Sequence, residues 1–289
     1  MQLRRMCARI SFLLAICILS VLMTGCLSNS SGGEEGGTVT VAVSILPQKT
    51  FVEAVGNSHV EVLVMVPPGA SPATYEPTPD QLVALSSADM YVQIGSPLPF
   101  ERVYLPRLIQ ANPSMMVVDS GEGIEIIDQD PHTWNAPPNA MIMVDHIADA
   151  LATTDPAHRD IYLQNREAYL AELAGLDTDI RTMLEGMEGE SFMVYHPAWG
   201  YFAREYGLEQ IAIETEGKEP SPSQLAELIR RAKEENISMI FVNPQMNMDA
   251  AEVIAQQIGA TLVPADPLAE NYTQNLRDFA THIAAEGAA

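Results

Sequence analysis

The run AHRDIYLQNREAYLAELAGLDTDIRTMLEGM, residues 157–187, sets the architecture of this chain. Tyr162, Tyr169, Leu173, Leu176, Ile180 and Leu184 recur in it at spacings of three, four or seven, the period of one apolar helix face. A helix of about thirty residues reaches ~45 Å at 1.5 Å per residue, far beyond an average core helix. The spacing therefore predicts a spine joining two bodies.

On each side of that spine the chain alternates strand and helix signals. Before it, Thr38 to Ile45 alternates and is β-branched, and Pro47 opens a helical run through Phe51, Val52 and Val55. Val60 to Val66 is a second strand. Thr78, Pro79 and Gln81 then supply an N-cap, a first-turn proline and a capping-box partner. Met90 to Ile94, a helix around Glu101 to Gln110, and Met115 to Val118 complete the series. After the spine, strands are expected at Phe192 to Tyr195, Gln210 to Ile213, Met239 to Val242 and Thr261 to Pro264. Helices are expected at Ala198 to Tyr206, after the Ser221-Pro222-Ser223-Gln224 cap, at Ala250 to Ile258 and from Tyr272 to Ala284. Repeated βα units imply parallel sheets. The fold class is α/β: two Rossmann-like lobes, each a parallel sheet flanked by helices, bridged by one long rigid helix. The boundaries read as residues 38–155 for the first lobe, 156–188 for the linking helix and 189–289 for the second lobe.

The opening residues read as a leader. Arg4, Arg5 and Arg9 precede an apolar run from Ile10 to Met23, followed by Thr24, Gly25 and Cys26. The run is shorter than the ~20 residues that span a bilayer, although a single membrane anchor is the alternative. Small residues ending in cysteine resemble a lipobox. Residues 1–26 are thus expected to be a lipoprotein signal peptide with Cys26 as the lipid attachment point, and residues 27–37 a flexible Ser/Gly/Glu tether. This places the protein outside the cytoplasm, lipid-anchored to the outer face of the cytoplasmic membrane.

Cys7, Cys17 and Cys26 all lie in the leader, so the mature part offers no thiolate, and any metal ligand there is nitrogen or oxygen. With 47% apolar residues among 289, the chain can build real cores. Its net charge of -23 repels phosphate backbones, which argues against nucleic acid, and concentrates cations near the surface. Solubility in a salty medium accounts for the general charge equally well.

Three residues are candidate metal ligands. His132 sits in the polar loop Asp130-Pro131-His132-Thr133-Trp134. His196 and Asp266 directly follow strands, at the carboxyl ends where open α/β sheets place ligands. Taken singly, each has a bland alternative, a hydrogen-bonded loop histidine or a capping aspartate. Two imidazoles and a carboxylate suit Zn2+, Mn2+ or Fe2+ and disfavour Cu(I). Three protein ligands on zinc leave a position for water, which is also the arrangement of a zinc hydrolase. No base is placed here as in His-Glu-x-x-His, so the reading is capture and not catalysis.

Several segments together resemble the zinc/manganese (cluster 9) family of solute-binding proteins that serve ABC importers. They are Ser44-Ile45-Leu46-Pro47, Pro67-Pro68-Gly69-Ala70-Ser71-Pro72, Thr74-Tyr75-Glu76-Pro77, Ala88-Asp89, Asp130 to Trp134, Tyr195-His196-Pro197-Ala198-Trp199-Gly200-Tyr201-Phe202, Tyr206-Gly207-Leu208 and Asp266-Pro267-Leu268. The resemblance implies a metal held between the lobes at the positions of Ala73, His132, His196 and Asp266. The family normally carries histidine where this chain has Ala73, so water or Glu76 is expected as the substitute ligand. Between Asp119 and Asp130 there are carboxylates and Gln129 but no imidazole, so the histidine-rich loop of some zinc-specific members is missing. The implied function is high-affinity capture of Zn2+, with Mn2+ or Fe2+ as alternatives, and delivery by a monomer to an ABC permease. A degenerate paralogue that binds no metal or another solute, acting in cell adhesion or as an accessory protein, is the alternative. Glu214 and Glu219 are left open between supporting the site, docking the transporter and forming a solvated edge, Glu216 is read as solvated, and Asn243 as ordering the cleft. Met246 and Met248 are read as packing residues.

Overall fold

The computed structural model describes residues 37–215, 217–245 and 248–287. The leader with Cys26, the tether up to residue 36, Glu216 and Met246 lie outside the described residues.

Two four-stranded, all-parallel sheets form the frame. The first contains β1 (Val39–Val43), β2 (Val60–Val64), β3 (Met90–Gln93) and β4 (Met116–Asp119), in the order β2-β1-β3-β4. The second contains β5 (Ser191–Val194), β6 (Glu209–Ala212), β7 (Met239–Val242) and β8 (Thr261–Pro264), in the order β6-β5-β7-β8. The two halves thus repeat one topology, with the first strand of each paired to its second and third. Every crossover runs through helix: α1 (Leu46–Gly56), α2 (Pro79–Leu85) and α3 (Pro99–Ala111) in the first half, and α6 (Gly200–Tyr206), α7 (Pro222–Glu234) and α8 (Asp249–Ile258) in the second. The expected caps are formed: Thr78 and Ser221 hydroxyls accept from the backbone N–H of Gln81 and Gln224 at 3.3 and 3.4 Å.

Between the sheets run α4 (Pro137–Thr154) and α5 (Arg159–Met183), and α9 (Tyr272–Gly287) ends the described chain. The spine α5 is 25 residues long, shorter at both ends than its apolar period suggests. Pro156, which has no N–H to donate, starts a separate 3-10 turn over Pro156–His158. At the other end Gly186, at φ +84°, takes the chain out of the helical direction, although Leu184 stays buried. The inner face of α5 carries the expected Tyr162, Tyr169, Leu173, Leu176 and Ile180, all buried. It packs on α4, α1 and α9. Asn165 donates to the Val55 carbonyl of α1 at 2.8 Å, and Arg277 of α9 pairs with Asp179 at 2.8 Å.

The core is shared between the halves. One apolar cluster runs from Val41 and Tyr91 of the first sheet through Leu173 and Ile180 of the spine to Phe192, Phe241 and Phe279 of the second half. Strand alternation sends Met193, Tyr195, Ile240 and Val242 to the far face of the second sheet, where a separate cluster packs under α7 and α8. A core continuous across both lobes resists large hinge motion, because opening it exposes buried apolar surface.

Candidate metal centre

The histidines predicted from the sequence meet. His132, in the loop between β4 and α4, and His196, directly after β5, bring their Nε2 atoms to 3.2 Å, with ring planes at 82°. They come from opposite halves of the chain.

What holds His132 there is its neighbour. Trp134 is fully buried; its indole N–H donates across the halves to the Pro267 carbonyl at 2.7 Å, and its own carbonyl accepts from the Tyr272 hydroxyl at 2.7 Å. Asn135 adds a bond from its amide to the Ala198 carbonyl at 2.8 Å, and Ser96 bonds the Pro131 carbonyl at 2.7 Å. The loop is thus pinned on both sides of the imidazole.

Each imidazole has a carboxylate behind it. Asp130 Oδ1 accepts from His132 Nδ1 at 2.6 Å and from the His132 backbone N–H at 2.9 Å. Gly200 makes room for it: a Cβ there would lie 2.7 Å from Asp130 Oδ2. His196 Nδ1 bonds Glu214 Oε1 at 2.5 Å, and Glu214 is buried. The sheet fixes Glu214, since Ile213 and Glu214 continue the β6 ladder onto the Val194 and Tyr195 carbonyls at 2.9 and 3.0 Å. In a neutral ring a bond to a carboxylate places the proton on Nδ1, which leaves Nε2 with its lone pair. Burial pushes the His132 imidazole below its ordinary value, against the opposing pull of the Asp130 carboxylate. His132 accordingly favours the neutral, ligating form.

The pair faces a cleft of about 970 Å3, which Ala73 and Asn243 also line. Asp266 is placed differently. Both its oxygens accept from Gln245 Nε2, at 2.9 Å each, and Oδ1 also takes the Leu268 N–H at 2.9 Å. It lines a neighbouring pocket of about 230 Å3, whose wall Gln245 shares with the cleft. Strand order explains the separation: β7 lies between β5, which delivers His196, and β8, which delivers Asp266. Glu76 is exposed and interacts with the Tyr104 phenol, and it is not among the residues lining the cleft. Among the described residues no third His, Cys, Asp or Glu joins the pair at metal-holding distance.

Sequence reasoning left Glu214 open and overlooked Asp130 and Gln245. Asp130 carries a local signal, an aspartate two residues before a candidate ligand; Gln245 carries none. Glu219 accepts from the Tyr195 hydroxyl at 2.6 Å. Asn243 is buried in the cleft wall.

Comparison with known proteins identifies the family. The family model described as zinc-uptake complex component A, periplasmic (ZnuA), matches residues 41–286. The high-affinity zinc uptake system protein ZnuA of Bacillus subtilis is 28% identical over 276 residues, covering 86% of this chain and 85% of that protein. The manganese-binding lipoprotein MntA of Halalkalibacterium halodurans is 26% identical over 265 residues, covering 88% and 87%. A crystal structure of ZnuA superposes with a TM-score of 0.83 at 43% identity, covering 86% of this chain and 98% of that one. With a family match that takes in both sheets, the spine and the histidine pair, the chain belongs to the zinc-uptake complex component A family of periplasmic solute-binding proteins.

Proposed function

We propose that the protein captures a divalent transition-metal cation outside the cytoplasm, between its two lobes, and delivers it to the permease of an ABC importer. The observation that carries this is the separation of the two lone-pair nitrogens. Two imidazole nitrogens bound to one tetrahedral Zn2+ at 2.0–2.1 Å lie about 3.3 Å apart. His132 and His196 Nε2 stand at 3.2 Å, and neutral rings that keep their protons on Nδ1, toward Asp130 and Glu214, leave none between them. Two facing lone pairs at that distance repel until a cation sits beside both.

His132 and His196 are the proposed ligands, with Asp266 supplying negative charge at the same end of the second sheet. Zn2+ is the first choice of cargo, because paired imidazoles suit it, while Mn2+ and Fe2+ draw more on oxygen donors. The proposed organisation is a first lobe over residues 38–155, a linking segment at 156–188 and a second lobe at 189–289, acting as a monomer held to the membrane through Cys26. The shared core supports delivery by adjustment of the loops bearing His196 and Asp266, with only a slight tilt of the lobes.

Calorimetry of the chelator-stripped protein against Zn2+, Mn2+ and Fe2+ tests the reading. Saturable binding of one equivalent is expected, and loss of it in His132→Ala and His196→Ala. Zinc affinity left intact in both variants would remove the site.

A further inference from the structure

A third side chain repeats the pattern of the histidines with an amide in place of an imidazole. Gln245 Nε2 donates to both Asp266 oxygens at 2.9 Å, an arrangement that fixes which way the amide points, since its oxygen in that place would face a carboxylate. Oε1 is thereby turned from Asp266. It is buried, and among the described residues no donor reaches it. A buried acceptor without a partner is costly, and a cation is one partner that satisfies it.

Gln245 lines the cleft that holds both imidazoles, whereas Asp266 lines the adjoining pocket. Adjacent strands lie about 4.8 Å apart, so the chain leaving β7 at Asn243 to Gln245 occupies the ground between His196 and Asp266.

We propose that Gln245 Oε1 is a protein donor to the cargo cation, beside the Nε2 atoms of His132 and His196, and that Asp266 acts through Gln245 as its anchoring carboxylate. The proposal rests on the histidine-pair reading and deepens it. The donor set becomes three side chains, each held from behind by an acid: His132 by Asp130, His196 by Glu214, Gln245 by Asp266. It also puts an oxygen donor in a cleft where Ala73 brings none, and a neutral amide oxygen keeps Mn2+ and Fe2+ within reach of the site alongside Zn2+.

A double-mutant cycle separates the routes. Zinc affinity is measured by competition with a chelating dye in the parent, Gln245→Ala, Asp266→Asn and the double variant, with circular dichroism melts as a folding control. Gln245→Ala is expected to weaken binding on the order of tenfold. Asp266→Asn is expected to weaken the parent but to change the Gln245→Ala background by less than about twofold, because the two act as one unit. In the unmutated protein the side-chain amide resonance of Gln245 is expected to shift on addition of Zn2+, a readout that needs no variant to fold. An Asp266→Asn loss as large in the Gln245→Ala background as in the parent would overturn the proposal and make Asp266 a direct ligand. Unchanged or tighter binding by Gln245→Ala would overturn it by making the amide a bystander or a competitor. If His132→Ala keeps full affinity in the same assay, the histidine-pair reading fails instead, whatever Gln245 does.

Discussion

Replacing Glu101 by Gln removes a carboxyl buried at the start of α3, whose first turn lines the cleft through Pro99 and Arg102. Glu101 accepts from the Ser44 hydroxyl and from the Ile94 N–H at 2.8 Å, and Ser44 in turn pairs with the Tyr91 hydroxyl at 2.9 Å. Burial outweighs these bonds and raises the carboxyl from 4.5 to about 7, with the Asp119 charge adding to the rise. The folded state therefore holds an extra proton between those two values. Stability from this group is full below 4.5, declines through the interval and is gone above about 7. At about 1.4 kcal/mol per unit, the loss comes to roughly 3 kcal/mol. Gln resembles the protonated carboxyl at every pH and escapes the loss. Urea unfolding of metal-stripped parent and Glu101→Gln proteins at a series of pH values, from below this interval to above it, reads the difference. Subtracting one curve from the other cancels the self-repulsion of a chain with net charge -23. The variant should gain roughly 3 kcal/mol on the parent between the acid and alkaline ends. A difference that stays flat with pH would show that Glu101 titrates alike in both states and would refute the reasoning.

The acid behind His196 should matter as much as the ligand it holds: Glu214→Gln is expected to lower zinc affinity about 10- to 100-fold by calorimetry, with the fold retained by circular dichroism. Gly200→Ala puts a methyl against Asp130 Oδ2, displacing the carboxylate that orients His132. Alanine suits the first turn of a helix, so affinity should fall while the melting temperature holds or rises, and unchanged affinity would show that Asp130 does not set the His132 orientation. Ala73→His adds an imidazole to the same cleft and should tighten zinc binding by about tenfold or more. Its apparent affinity should also fall more steeply with decreasing pH, since a third imidazole has to shed its proton.

The parts of the fold legible in the sequence are those set by local chemistry. Met239–Val242 and Thr261–Pro264 form strands over the residues expected, because each is a short apolar run stopped by a polar turn or proline. The caps at Thr78 and Ser221 read directly for the same reason. The ends of the spine did not, since Leu184 continues its apolar face after helical hydrogen bonding has stopped. At the site, His132 and His196 were legible because a loop beside a strand end is a recurrent place for ligands. The bonds from Trp134 to Pro267 and from Tyr272 to Trp134 span more than a hundred residues, and Gln245 is placed by strand order, so neither has a signature in sequence.

How the pair stays together bears on what kind of receptor this is. With both ring protons on Nδ1, two Nε2 lone pairs 3.2 Å apart repel. The opposition comes from the scaffold: the Trp134 and Asn135 bonds across the halves, the two acids behind the rings, and a core that runs unbroken from the first sheet to Phe279. A site held near the spacing a cation requires gains affinity by avoiding the ordering cost of assembling its ligands on arrival. Selection among cations then falls to the donors that complete the shell. On the donor set proposed above, that donor is Gln245 at the end of the second sheet, anchored by Asp266, because the first lobe offers Ala73 in place of a side-chain donor.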